Sequence, residues 1–256
     1  MARHPDITAS NYEEVYDYYR TSRASKRFSD ITFSLSEKIY APDVHHQFGT
    51  IATIRQQLEL GKGAVLAINH PSPHDPFIMA GAIHEMNNEI PDFTDFMGFG
   101  KDSLFRGPTR LLFEKTGCVP VFRHKSYPDM EPRTFTQLTN ALFDLSVERL
   151  KEGYHVSLMP EGTCSAPDQL EHLDYAAVKT GIARIAHLAT DIHSFIVPVG
   201  IHYRTDNPRS LFVPRHTNVV FGDPIAEYGP TITAIRRQVF NGMQNALDQA
   251  TELSSS

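Results

Sequence analysis

The sequence predicts an α/β protein, a single mixed β-sheet flanked by helices, with an N-terminal helical extension. Three observations predict it. Short apolar runs alternate with helix-patterned segments along most of the chain. Glycines and prolines fall at the joints, where helices stop and start. Hydrophobic residues make up 41% of 256 residues, enough for a sizeable core.

The elements follow in order. Ser10-Asn-Tyr-Glu13 has the spacing of a capping box, so a helix is expected there, running through Val15, Tyr18 and Tyr19 toward Arg27. Residues 51–60 form a second helix candidate, stopped by Gly61. Strands are expected at 64–68, 96–99, 118–122, 154–159, 195–201 and 211–221. Helices are expected at 76–88, 108–116, 134–152, 175–190 and 231–252. Pro108 suits a first helical turn, and Gly117 and Gly153 suit helix ends. Pro198 interrupts the apolar run Ile196-Val-Pro-Val-Gly200 without an N–H to donate, so it marks an edge strand, a bulge or an interruption near a site. The simplest division is a helical extension over 1–50, one domain over 51–253 and a disordered tail at 254–256. There is no internal repeat and no low-complexity stretch.

Composition excludes several function classes. A net charge of -6 and a pI near 6.1 argue against nucleic acid as a partner, because phosphate binding needs a basic surface. Mean hydropathy is -0.31, and no apolar run reaches the roughly 18 residues of a membrane span. The opening Met-Ala-Arg-His-Pro-Asp lacks the apolar stretch of a secretory signal, so a cytoplasmic location is expected. Cys118 and Cys164 have no metal-ligand spacing and read as reduced thiols.

Four segments carry chemistry. The first is His70-Pro-Ser-Pro-His-Asp75, after the apolar run 64–68. A histidine and an aspartate at the end of a buried strand suit a general-base pair, in which the carboxylate holds the imidazole and the imidazole takes a proton. Pro71 and Pro73 forbid a regular helix, so the geometry must come from a turn. Asp75 before Pro76 also fits a helix N-cap with proline at N1, and the two roles are compatible. The same spacing recurs at His124 and Asp129 in a polar, loop-like stretch, and there it reads as chance. No fourth ligand segment accompanies His70, His74 and Asp75, so no metal site is assigned.

The second segment is Met159-Pro-Glu-Gly-Thr-Cys-Ser165, also after a strand candidate. Glu161 offers a carboxylate, Gly162 a close backbone approach, and Thr163 and Ser165 hydroxyls; the bland alternative is a loop punctuated by Pro and Gly. The third pairs Lys101 with Arg123, each ending an apolar run and suited to phosphate. The fourth is the Pro198 segment.

In this order the segments resemble the glycerolipid acyltransferase family, which includes glycerol-3-phosphate and lysophosphatidic acid acyltransferases. That family carries His-x4-Asp, a Gly-to-Arg block, Pro-Glu-Gly-Thr and a Val-Pro-Val-like block. Here they read His70 to Asp75, Gly117 to Arg123, Pro160 to Thr163, and Val197 to Val199, within a likeness spanning about 60 to 226. The resemblance implies transfer of a fatty acyl group from acyl-CoA or acyl carrier protein to a hydroxyl of a lipid or lipid precursor. It implies His70 as general base with Asp75 fixing its tautomer, no cofactor beyond the donor, and residues 51–253 as the acyltransferase domain. Glu161, Gly162 and Thr163 would position the acceptor, and Arg123 and Lys101 would hold phosphate.

The family pattern continues with Arg after Thr, whereas this chain has Cys164. A thiol cannot grip phosphate as a guanidinium does, which points to a different hydroxyl or amine acceptor. A thiol can also be a nucleophile, but the sequence shows no environment that would activate it. Two other classes stay open: a thioester or metal-dependent hydrolase, and a non-catalytic lipid-binding module. Arg20, Arg23, Lys26 and Arg27 fall at helical spacing and suit an anionic inner membrane face, each basic residue contributing about 1 kcal/mol near such a surface.

Overall fold

In the computed structural model, the described residues are 4–165, 170–192, 194–204, 208 and 217–255. Their helices are α1 (Tyr12–Thr21), α2 (Lys26–Tyr40), α3 (Thr50–Glu59), α4 (Asp75–Glu89), α5 (Pro108–Lys115), α6 (Pro132–Lys151), α7 (Gly181–Leu188) and α8 (Ile232–Ser255). Their strands are β1 (Asp43–His46), β2 (Ala64–Ile68), β3 (Phe96–Lys101), β4 (Cys118–Val121), β5 (His155–Leu158), β6 (Phe195–Tyr203) and β7 (Thr217–Phe221). The seven strands form one mixed sheet in the order β1-β7-β6-β2-β5-β3-β4. From β6 to β4 the pairing is parallel; β7 runs antiparallel to β6, and β1 runs parallel to β7.

Period-two alternation splits the core into two layers. Val65 and Ala67 pack with Met97, Val119, Val156 and Ile196 against α1, α6, α7 and α8. Ala64, Leu66 and Ile68 pack with Phe195, Val197, Val199 and Phe221 against α2, α3 and α4. β2 is therefore buried on both faces, which is why it reads as an unbroken apolar run. Gly200 serves this packing: a Cβ there would lie 2.3 Å from the backbone of Ala246 on α8.

Several expectations need correction. The capping contacts form between Thr8 and Asn11 rather than between Ser10 and Glu13: Thr8 N–H and Oγ1–H both donate to Asn11 Oδ1, at 3.2 and 2.6 Å. The first helix does not reach Arg27, because the chain turns extended at Ser22 and α2 begins afresh at Lys26. Arg20, Arg23, Lys26 and Arg27 thus do not share one helix. Arg20 pairs with Glu148, Arg23 with Glu152 and Lys26 with Asp92. The expected helix 175–190 shrinks to α7, since the Lys179 N–H leaves the helix path to donate to Pro160 O at 3.0 Å. β1 is a strand that the sequence did not announce; of its four residues only Val44 is apolar. The strand expected at 211–221 is seen from Thr217, and 211–216 lie outside the described residues. At the C-terminal end α8 continues to Ser255, and Ser254 Oγ lies 2.9 Å from Asn218 Nδ2.

Pro198 is not on an edge strand, because β6 lies between β2 and β7. The β6–β7 ladder covers Val199 to Tyr203 and resumes only at Ile196 with Ile225. Between them the Pro198 carbonyl accepts from Gly222 N–H at 2.9 Å, and the partner chain gains one residue. The proline occupies a bulge, where no N–H is asked of it.

Candidate active site

Parallel pairing brings four strand ends to one edge of the sheet. Leu66, Ser157, Gly98 and Cys118 lie in register across β2, β5, β3 and β4. His70, Glu161, Lys101 and Arg123 follow these by three to five residues. Loops beyond the carboxyl ends of parallel strands are the usual seat of ligands in such sheets.

The first loop is built around Asn69. Its amide donates to Ile201 O at 3.0 Å and accepts from Ile201 N–H at 2.6 Å, carrying the β2–β6 pairing one residue past the strand. The chain then turns through Pro71 and Pro73, as the prolines require. α4 starts at Asp75 with Pro76 behind it. Asp75 is the first helical residue rather than the N-cap, and its carboxylate turns back into the loop. Oδ2 lies 2.8 Å from His70 Nδ1 and accepts the Ser72 N–H at 2.9 Å. Oδ1 accepts the hydroxyl of Tyr203, from the end of β6.

Asp75 is fully buried, whereas His70 keeps 18% of its side chain exposed. Burial pushes the Asp75 carboxyl up, and the His70, Tyr203 and Ser72 donors pull it back. Burial works against the His70 imidazolium, but the Asp75 hydrogen bond and charge, with help from Cys164, outweigh it and raise its pKa to about 9. Burial and then the Asp75 charge push the Tyr203 phenol up, so it remains a donor. His74 Nδ1 lies 3.3 Å from the Tyr40 hydroxyl.

The second loop closes onto the first. Glu161 is buried, and its Oε1 accepts the His70 backbone N–H at 2.8 Å while Oε2 accepts the Ser165 hydroxyl. Burial raises the Glu161 carboxyl, and those donors oppose the rise. Ser165 N–H donates to His70 O at 2.7 Å, so the two loops share backbone and side-chain bonds. Gly162 takes φ 70°, a turn conformation natural to glycine, and its carbonyl accepts from Arg123 Nη1 at 3.0 Å. Arg123 Nε is buried and has no partner among the described residues. Cys164 Sγ comes to 3.5 Å from His70 Nε2, on the ring edge opposite Asp75.

The predicted residues therefore fall into three groups. His70, Asp75 and Glu161 form one bonded cluster, and Arg123 joins it through Gly162. Thr163 is exposed and makes no hydrogen bond among the described residues. Lys101 is exposed at the end of β3, two strand spacings or about 10 Å from β2. Sequence reasoning missed Tyr203 and Asn69. The strand expected at 195–201 ends two residues short of the phenol; the signal for it is a polar tip at the end of an apolar run.

Among the described residues, no group of three His, Cys, Asp or Glu side chains could hold a metal ion. No helix there is long and apolar enough to cross a membrane. No curated protein matches the chain. A family model described as Acyltransferase matches residues 44–202, from the second residue of β1 to the penultimate residue of β6. That span takes in more than half of the 256 residues, and with them His70, Asp75, Glu161 and Cys164, so the chain belongs to the Acyltransferase family.

Proposed function

We propose that the protein moves a fatty acyl group from an acyl thioester, carried by coenzyme A or an acyl carrier protein, to a hydroxyl of a lipid or lipid precursor. The observation that carries this reading is the His70–Asp75 pair, closed at 2.8 Å at the carboxyl edge of the sheet, in a chain of this family. In this scheme neutral His70 takes the acceptor proton at Nε2 as the oxygen attacks the thioester carbonyl. Asp75 fixes the proton on Nδ1 and stabilises the imidazolium that forms. The leaving thiolate needs little acid assistance, since a thiol pKa is about 8.5.

Glu161 acts through the backbone. Its carboxylate is committed to His70 N–H and Ser165, so it fixes where the imidazole starts from. Acceptor contacts are left to the surface of the Gly162–Thr163 turn. Arg123, whose Nη1 donates to Gly162 O, and Lys101, exposed at the end of β3, suit a phosphate of the acceptor or of a coenzyme A donor. With a thiol rather than a guanidinium beside His70, a phosphate-bearing acceptor is disfavoured, which supports a neutral alcohol or an amine.

Peripheral contact with an anionic membrane face belongs to the same proposal. Acidic partners neutralise Arg20, Arg23 and Lys26, so those charges support it weakly. Exposed Ile31, Leu35 and Ile39 recur every fourth residue on α2 and support it better. Flotation with vesicles of anionic and neutral lipid checks this: recovery with the anionic vesicles is expected, and equal recovery in the soluble fraction removes the contact.

The test of the main reading is an acceptor screen with labelled palmitoyl-CoA, read by mass spectrometry. The expected result is an acylated alcohol or amine, with thiol release that depends on the acceptor. Thiol release at the same rate without any acceptor would instead make the protein a thioester hydrolase. Donor binding with no turnover would make it a lipid-binding module.

A further inference from the structure

Two cations converge on the turn at Gly162, and the acyl-transfer scheme uses only one of them. Arg123 reaches the turn from the end of β4, with Nη1 donating to Gly162 O at 3.0 Å. Lys179 reaches it from the segment before α7. The missing side chain of Gly162 leaves room for it: a Cβ there would come 2.9 Å from Lys179 Nζ and 3.8 Å from Lys179 Cε. The ammonium therefore lies across the α-carbon of the residue whose carbonyl holds the guanidinium. Glu161, one residue back, has both oxygens committed to His70 N–H and the Ser165 hydroxyl.

The backbone sets Lys179 in this place. Its N–H donates to Pro160 O at 3.0 Å, in the same turn. Arg236 on α8 grips the residues just before it, with Nε donating to Val178 O at 2.6 Å and Nη2 to Tyr175 O. The Arg236 guanidinium also lies 4.2 Å from the centre of the Tyr175 ring, and Val178 is fully buried. The exposed Lys179 side chain thus leaves from a fixed point. α7 opens two residues later at Gly181, and its N-cap Thr180 makes no side-chain cap. The positive end of that helix lies beside the same turn.

Other cations of the fold face carboxylates. Arg20 pairs with Glu148, Arg110 with Glu114, Arg149 with Glu152 and Arg204 with Asp43. Among the described residues, no carboxylate lies within ion-pair distance of Lys179 or Arg123, and Arg123 Nε is buried without a partner. Two like charges on one turn repel, and an anion seated between them relieves the repulsion. A guanidinium fork and an ammonium point charge together match the oxygens of a phosphate.

We propose that Lys179 joins Arg123 in a phosphate-binding site over the Gly162 turn, and that Lys179 selects for a phosphate carried by one of the substrates. This deepens the acyl-transfer reading and rests on it for the identity of the substrates. The thiol beside His70 disfavours a phosphate on the acceptor, so the phosphate is expected on the donor.

The test uses the full chain and the variants Lys179→Gln, Lys179→Arg and Lys151→Gln, the last exposed at the end of α6 near the opposite edge of the sheet. Circular dichroism and thermal unfolding confirm that all three fold. Inorganic phosphate, titrated by phosphorus NMR, gives a readout that needs no turnover. Lys179→Gln is expected to bind it about tenfold more weakly than the wild type, Lys179→Arg to recover most of that loss, and Lys151→Gln to match the wild type. Two kinetic arms then identify the substrate. One compares decanoyl-CoA with decanoyl-pantetheine on a fixed alcohol; the other compares glycerol 3-phosphate with glycerol on fixed decanoyl-pantetheine. Lys179→Gln is expected to raise KM for decanoyl-CoA about tenfold, with kcat within about twofold, and to leave decanoyl-pantetheine unchanged. A rise confined to glycerol 3-phosphate supports the site equally and assigns the phosphate to the acceptor. Equal phosphate binding by the wild type and Lys179→Gln, an equal loss in Lys151→Gln, or an unchanged KM in both arms overturns the site, while transfer by the wild type leaves the acyl-transfer reading standing. A wild type that transfers from neither donor overturns that reading, and the phosphate titration alone then decides the site.

Discussion

His70 and Asp75 stand five positions apart, and so do His124 and Asp129, yet only the first two meet. His70 follows the central strand, and two prolines fold the chain back so that Asp75 arrives at 2.8 Å. Asp75 has no access to water and is satisfied by the imidazole, a phenol and a backbone N–H. His124 opens a 3-10 turn at the surface and sets its ring edge-on to Phe135 at 5.2 Å. Asp129 is exposed, and no ion pair joins the two among the described residues. An exposed carboxylate gains little from a cation because water already solvates both. A buried one must find donors, and the imidazole is one of the few within reach. Spacing permits the pair; burial makes it.

The largest effect that would break this contrast is on the rate. Asp75→Asn keeps the side chain's shape but removes the charge and turns one of the two acceptor oxygens into an NH2 donor, so the His70 tautomer is no longer fixed. Turnover should fall by about 10² to 10⁴. NMR titration should show the His70 pKa dropping from about 9 toward 6.5.

A third histidine sharpens the comparison from the other edge of the sheet. His155 opens β5, where its Nδ1 accepts Ala64 N–H at 3.2 Å and its ring packs on Phe93 and Phe96. Burial lowers its pKa to about 4. The unfolded chain therefore takes up a proton near pH 6.5 that the folded chain refuses. Stability is present above that pH and is lost as pH falls toward 4, by about 3 kcal/mol. His70 acts in the opposite sense: its contribution is full below pH 6.5 and is lost as pH rises through 9. Urea unfolding across pH 4 to 7 checks this. His155→Phe should flatten the acid limb, and an unchanged slope would remove the assignment.

Tyr203→Phe is a milder lesion. It takes one donor from a buried carboxylate while His70 and Ser72 N–H remain, so a loss of about 1.5 to 3 kcal/mol in stability is expected by urea unfolding. The smallest effect belongs to Asp129→Asn, which should change stability by less than about 0.5 kcal/mol and leave turnover unaltered.

Much of the architecture was legible in the sequence because the central strands are buried on both faces and the turns are marked by Gly and Pro. β1 was not, since an edge strand with one apolar residue has no alternation to read. The basic residues near the N-terminus read as one helix because helical spacing does not reveal a break; residues 22–25 carry no proline or glycine to announce it. At the site, His70, Asp75 and Glu161 could be named from their positions after strand ends. The direction in which Glu161 points could not, because a carboxylate that holds a backbone N–H and one that faces a substrate leave the same letter. The contact of Cys164 with His70 depends on how two loops close on each other, which no spacing within either loop encodes.

The most direct test of the account is to measure acyl transfer from one thioester donor to one acceptor by the wild type, His70→Ala and His124→Ala side by side. The account predicts that His70→Ala loses about 10² to 10⁴ in rate with its fold intact, and that His124→Ala matches the wild type. Equal turnover by His70→Ala and the wild type would contradict it.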